Sequence, residues 1–116
     1  MAITLFHNPR CSKSREALAA LQDLGHTPEV VLYLETPPDA ATLTAMLAKL
    51  GLPARSLLRT KEAEYAELGL ADAGLSDAQL IAAMVSHPKL IERPIAIVGE
   101  RAAVGRPLDN ILALLA

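Results

Sequence analysis

The chain reads as an α/β protein built on a mixed four-stranded sheet, in the order βαβ, helical insert, ββα. Three observations predict this. Two short apolar runs near the N-terminus flank one amphipathic helix, the mark of a right-handed parallel crossover. From about residue 39 to 86 the pattern is helical almost throughout. Near the C-terminus two short strands meet at a tight Gly-containing connection and lead into a last helix.

Each element has its own signal. Ala2 to Phe6, "AITLF", is apolar and partly β-branched, and reads as a buried strand. "SREALAALQDL" places Leu18, Leu21 and Leu24 at helical spacing, and Gly25 ends that helix. Glu29 to Leu34, "EVVLYL", reads as a second buried strand. Asp39 can cap the next helix, which carries Leu43, Met46, Leu47 and Leu50 on one face and stops at Gly51. After Pro53, "SLLRTKEAEYAEL" gives a short helical turn and another helix, with Glu62 and Glu64 early in it. Ser76 and Gln79 stand at capping-box spacing, and Pro88 closes the helix they begin. Pro94 to Val98 is the third strand, "GER" a tight connection and "AAV" its short partner strand. "GRP" then turns into the helix "LDNILALLA". Two parallel strands and a hairpin sharing one sheet are the thioredoxin-like plan, with helices inserted between strands 2 and 3. The expected organisation is a single domain over residues 1–116.

Bulk properties narrow the function. The 116 residues suit one core, and 52% of them are hydrophobic. Aromatics make up only 3%, so Ala and Leu fill most of that core. A net charge of −2 and a pI near 5.9 argue against a nucleic-acid or membrane-surface partner. No apolar run is long enough to span a bilayer, and "MAITLF" is too short for a signal peptide. One cysteine cannot form an internal disulfide. The expected setting is cytoplasmic.

That cysteine lies in "FHNPRCSKSR", a stretch without a single acid. Cys11 follows a strand and opens a helix. A helix N-terminus offers free backbone N–H groups and partial positive charge, and Arg10, Lys13 and Arg15 add cations nearby. All of this favours thiolate over thiol, at sites where thiol pKa values fall to about 3.5–7.5. The alternative is a buried cysteine acting as a small hydrophobe, but its neighbours are polar and charged. The same N–H groups would also hold an oxyanion. Spacing excludes several chemistries. His7, His26 and His87 are isolated, so no metal site is expected. A two-cysteine disulfide reductase needs a second thiol three residues on, where Ser14 stands. A phosphatase-type loop needs an arginine six residues on, where Ala17 stands.

"HNPRCSKSR" resembles the active-site segment of the glutaredoxin-dependent arsenate reductase family, and the resemblance covers essentially the whole chain. The family's three oxyanion-binding arginines match Arg59 in "LLRTKE", Arg93 in "IERPI" and Arg106 in "GRP". The resemblance implies a thioredoxin-like fold with a helical insert, and a cis peptide bond before Pro94. It implies that arsenate sits among Arg59, Arg93 and Arg106, and that the Cys11 thiolate attacks arsenic. Glutathione is the implied reductant co-substrate, glutaredoxin the implied partner, and no bound cofactor is implied. Ser14 would hydrogen-bond the thiolate or cap the helix, and His7 would add positive charge or place a hydrogen bond. Two features depart from longer family members: the chain stops at "LALLA", and Arg10 directly precedes Cys11. Two other functions compete. Transcriptional regulators that dock on RNA polymerase share this fold but usually carry Cys-x-x-Cys, and they need not keep the three arginines. A thiol protein that binds glutathione without arsenate turnover is the other. The arginines favour the enzyme.

Overall fold

The structure is a computed structural model that describes residues 2–115. Four strands form one sheet in the order β2-β1-β3-β4. β1 (Thr4–His7) and β2 (Glu29–Leu32) are parallel and are joined by α1 (Ser12–Asp23). β3 (Ile95–Val98) and β4 (Arg101–Val104) form an antiparallel hairpin, and β3 pairs antiparallel with β1. Between β2 and β3 come α2 (Ala40–Leu50), a 3-10 turn (Ala54–Leu57), α3 (Ala63–Glu67), α4 (Asp77–Ser86) and a second 3-10 turn (Pro88–Leu90). α5 (Asp109–Ala113) ends the chain's regular structure. This is the thioredoxin-like α/β fold expected, with its mixed sheet and helical insert. Among the described residues no helix is long and apolar enough to cross a membrane.

The chain divides into two compact units: residues up to 36 together with those from 93 onward, and Pro37–Glu92. The sheet unit is held by one apolar cluster. Leu5, Ala96 and Ala103 face one another across three strands, and Ile3 and Val98 extend that row. Ala17 and Leu21 of α1 and Ile111 of α5 pack on the same cluster. Leu5 and Leu21 are fully enclosed. Burial of side chains of this size stabilises by about 1.5–3 kcal/mol each.

In the inserted unit, Leu43, Met46 and Leu47 of α2 and Leu80, Ile81 and Met84 of α4 are buried. The helix ends behave as the sequence predicts. Thr42 N–H donates to Asp39 Oδ1 at 2.8 Å, and Gly51 closes α2 with φ 68°. Ser76 and Gln79 form a reciprocal capping box at 2.7 and 3.2 Å. An isolated antiparallel bridge between Leu58 and Ile91 ties the two flanks of the unit. Arg59 N–H donates to Leu90 O and Glu92 N–H to Leu57 O, both at 2.8 Å.

Several local expectations are corrected. β2 ends at Leu32 rather than Leu34, because Glu35 and Thr36 N–H both turn back onto Leu32 O. Nor is it a buried strand. It lies at the sheet edge, with Glu29 exposed and Val30 39% exposed. β1 starts two residues later than expected, at Thr4. α1 starts two residues earlier than expected, so its buried face is Ser14, Ala17 and Leu21, and Leu24 is 59% exposed. Residues 68–76 between α3 and α4 form turns rather than helix.

Candidate active site

The site is built by the turn that joins β1 to α1. Asn8 is buried and organises that turn. Its Oδ1 accepts from Arg10 N–H at 3.0 Å, and its carbonyl accepts from Cys11 N–H at 2.9 Å. Pro9 lies between them, and its carbonyl accepts from Arg15 Nη1 at 2.9 Å. The loop is thereby closed on itself, and Cys11 becomes the N-cap residue of α1 with extended backbone (φ −96°, ψ 124°). Its side chain makes no cap of its own, which leaves the sulfur beside the free N–H groups of the first turn.

Cys11 is 8% exposed, and burial alone would push its thiol pKa up. Four opposing contributions win and hold it at about 7: the Ser14 backbone N–H, a hydrogen bond from the Arg93 side chain, the Lys13 backbone N–H, and the charge of Arg93. Arg106 Nη2 lies 3.5 Å from Sγ. The cations adjacent in sequence are not the source of this effect. Arg15 is committed to Pro9, and the exposed Lys13 ammonium pairs with Glu16 at 3.7 Å. The decisive positive charge arrives from the other end of the chain.

Arg93 and Arg106 are positioned together. Arg106 Nε donates to Arg93 O at 2.7 Å, and Gly105 N–H donates to Pro94 O at 2.8 Å. Both arginines precede cis prolines, at Arg93–Pro94 and Arg106–Pro107. The first cis bond is the one the family resemblance implies. Gly105 is required by close approach. A Cβ there would meet Ile111 Cδ1 at 2.6 Å and Pro94 Cγ at 2.8 Å.

The remaining candidates sit as follows. Ser14 is fully buried. Its hydroxyl has no hydrogen-bond partner among the described residues, and its backbone N–H is what serves the thiolate. His7, at the end of β1, is 5% exposed, and its Nδ1 lacks a hydrogen-bond partner among the described residues. Burial lowers its pKa, and Arg15 lowers it further, against an opposing effect of the Ser14 backbone. Burial and Arg15 thus favour the neutral imidazole over its cation. Arg59 belongs to the inserted unit, where its Nε meets Glu62 Oε1 at 3.2 Å and its Nη1 meets Glu92 Oε1 at 3.0 Å. Among the described residues no cluster of three His, Cys, Asp or Glu side chains could hold a metal ion.

Sequence reasoning missed Asn8, Gly105 and the two glutamates on Arg59. Asn-Pro is a turn signal and so pointed toward Asn8. Glu62 stands three residues after Arg59, a spacing that allows a local ion pair, whereas nothing local marked Gly105 or Glu92.

A nearly buried thiol held close to its anion, flanked by two guanidinium groups, can attack an electrophilic oxyanion and neutralise its charge. Comparison with known proteins points the same way. The chain is 54% identical over 114 residues to the uncharacterized protein YfgD of Escherichia coli K12, covering 97% of this chain and 96% of the relative. It is 52% identical to the arsenate reductase of Neisseria meningitidis serogroup A, covering 97% of each. Among solved structures, the arsenate reductase from Vibrio cholerae superposes with a TM-score of 0.95 at 48% identity, over 97% of both chains. The ArsC family profile matches residues 6–114, and the chain belongs to the ArsC family.

Proposed function

We propose that this chain is an arsenate reductase that works through a Cys11 thiolate adduct, with glutathione and glutaredoxin supplying the electrons. The observation that carries the reading is the Cys11 sulfur itself. It is held at a pKa of about 7 by Arg93 and two helix N–H groups, with Arg106 Nη2 at 3.5 Å, in a chain of the ArsC family. Near neutral pH about half of such a thiol is thiolate, which is the nucleophilic form.

Arg93 and Arg106 bind and orient the arsenate oxygens. The thiolate forms a sulfur–arsenic bond, and a protonated arsenate oxygen leaves as water. The glutathione thiolate then attacks the Cys11 sulfur, the sulfur–arsenic bond breaks with its electron pair staying on arsenic, and arsenic leaves as arsenite. Cys11 remains in a mixed disulfide with glutathione, and glutaredoxin takes the glutathione from it and restores the thiolate. The backbone N–H groups of Ser14 and Lys13 hold the sulfur as it departs. Arg59 is the third substrate ligand in this reading, on its sequence context "LLRTKE". Two further roles remain proposals: Ser14 acts through its backbone, and His7 acts as a neutral hydrogen-bonding group.

The test is steady-state arsenate reduction with glutathione and glutaredoxin present. Cys11→Ser should abolish turnover while arsenate binding survives, because the guanidinium groups remain. Turnover in that variant, or none in the unaltered protein, would overturn the reading.

A further inference from the structure

A cavity of about 250 Å³ opens beside the Cys11 loop. Pro9, Leu32 and Leu34 give it apolar walls, and Asn8 lines it with its Oδ1 already taken by the loop. His7 is buried and its ring is engaged by the Ser14 backbone. Two other lining groups are uncommitted. Arg10 and Glu35 are exposed, and among the described residues neither side chain makes a hydrogen bond or an ion pair. One cation and one anion therefore flank apolar walls. Arg10 is also bonded directly to Cys11, so the two Cα atoms lie about 3.8 Å apart.

We propose that this cavity is the docking site for the small zwitterionic thiol peptide that resolves the Cys11 adduct. The proposal rests on the arsenate reductase reading for its occupant. A chain with one thiol must take its second thiol from solution, and that thiol must arrive within reach of Cys11. A peptide thiol carries a carboxylate for Arg10 and an ammonium for Glu35. The cavity is slightly smaller than the roughly 300 Å³ at which small-molecule pockets begin, so it holds one end of such a peptide and leaves the thiol outside, toward the Cys11 sulfur. Arg10 and Glu35 thereby acquire roles on the thiol side of the reaction, opposite in chemistry to the oxyanion-binding arginines.

Two measurements test this. Isotope-labelled protein is titrated with S-methylglutathione, which cannot react, and amide shifts are mapped. Shifts should concentrate on residues 7–10 and 32–35. Arg10→Ala and Glu35→Gln should each weaken binding about threefold to tenfold, and Arg10→Lys should retain most of it. In turnover assays the same two variants should raise KM for glutathione by a similar factor and leave KM for arsenate unchanged. Shifts confined to the surroundings of Pro94, no shifts at all, or an unchanged glutathione KM in both variants would overturn the proposal. Cavity shifts in a protein that does not reduce arsenate would keep the site and refute the reading on which its occupant rests.

Discussion

A thiol that is almost buried should titrate above a free one, and Cys11 does the opposite. Desolvation is the largest single effect on it, yet two backbone N–H groups and the Arg93 guanidinium together outweigh it and leave the pKa at about 7. The depressed value means that protonation removes the nucleophile as pH falls through 7, and thiolate is fully formed well above it. Alkylation rate or thiolate absorbance against pH should show this midpoint. Arg93→Ala removes both a hydrogen bond and a charge, so the midpoint should rise by about one pH unit. A midpoint unmoved by that change would mean that the helix N-terminus suffices alone. Cys11 itself was legible in the sequence as a thiolate site, because it stands between a strand and a helix among cations. The cause was only half legible. The charges of the expected cations, Arg10, Lys13 and Arg15, are not among the causes of the shift, and the effective one, Arg93, is far away in sequence.

At the scale of elements, the site depends on how tightly the β4–α5 connection packs on the start of β3. Gly105 lies between Pro94 and Ile111, and its N–H donates to Pro94 O. Gly105→Ala would place a methyl group 2.6–2.8 Å from both neighbours. Ile111 can rotate its terminal carbon away, but the Pro94 ring cannot. Overpacking of this kind costs about 1–3 kcal/mol. Thermal unfolding should show that loss, and the thiol midpoint should rise as well, because Arg106 follows directly and Arg93 is its hydrogen-bond partner. A variant as stable as the original would mean that the connection gives way freely. Helix caps, hydrophobic faces and the hairpin were legible because each is encoded within a few residues: Asp39 with Thr42, Ser76 with Gln79, Gly51 after Leu50. The exposure of β2 and the tightness at Gly105 were not. An apolar run reads alike at the centre and at the edge of a sheet, and only strand order, which depends on distant pairings, separates them.

The whole molecule has one sulfur nucleophile and no second thiol, and this sets its redox logic. Reducing arsenate to arsenite takes two electrons. A chain with a second cysteine could supply them by closing an internal disulfide, which thioredoxin would then reopen. This chain cannot, so its oxidised intermediate must be a mixed disulfide with an outside thiol. Glutathione alone should form that intermediate and then stall or turn over slowly, since release needs attack on a glutathionyl disulfide. Adding glutaredoxin, which acts on such disulfides, should restore steady turnover. Thioredoxin should replace it poorly, because it acts on disulfides between protein thiols. Mass spectrometry of protein stopped during turnover without glutaredoxin should find glutathione attached at Cys11. Full activity with thioredoxin as the sole thiol source would mean that the electrons travel by another route, since no internal disulfide is available to it.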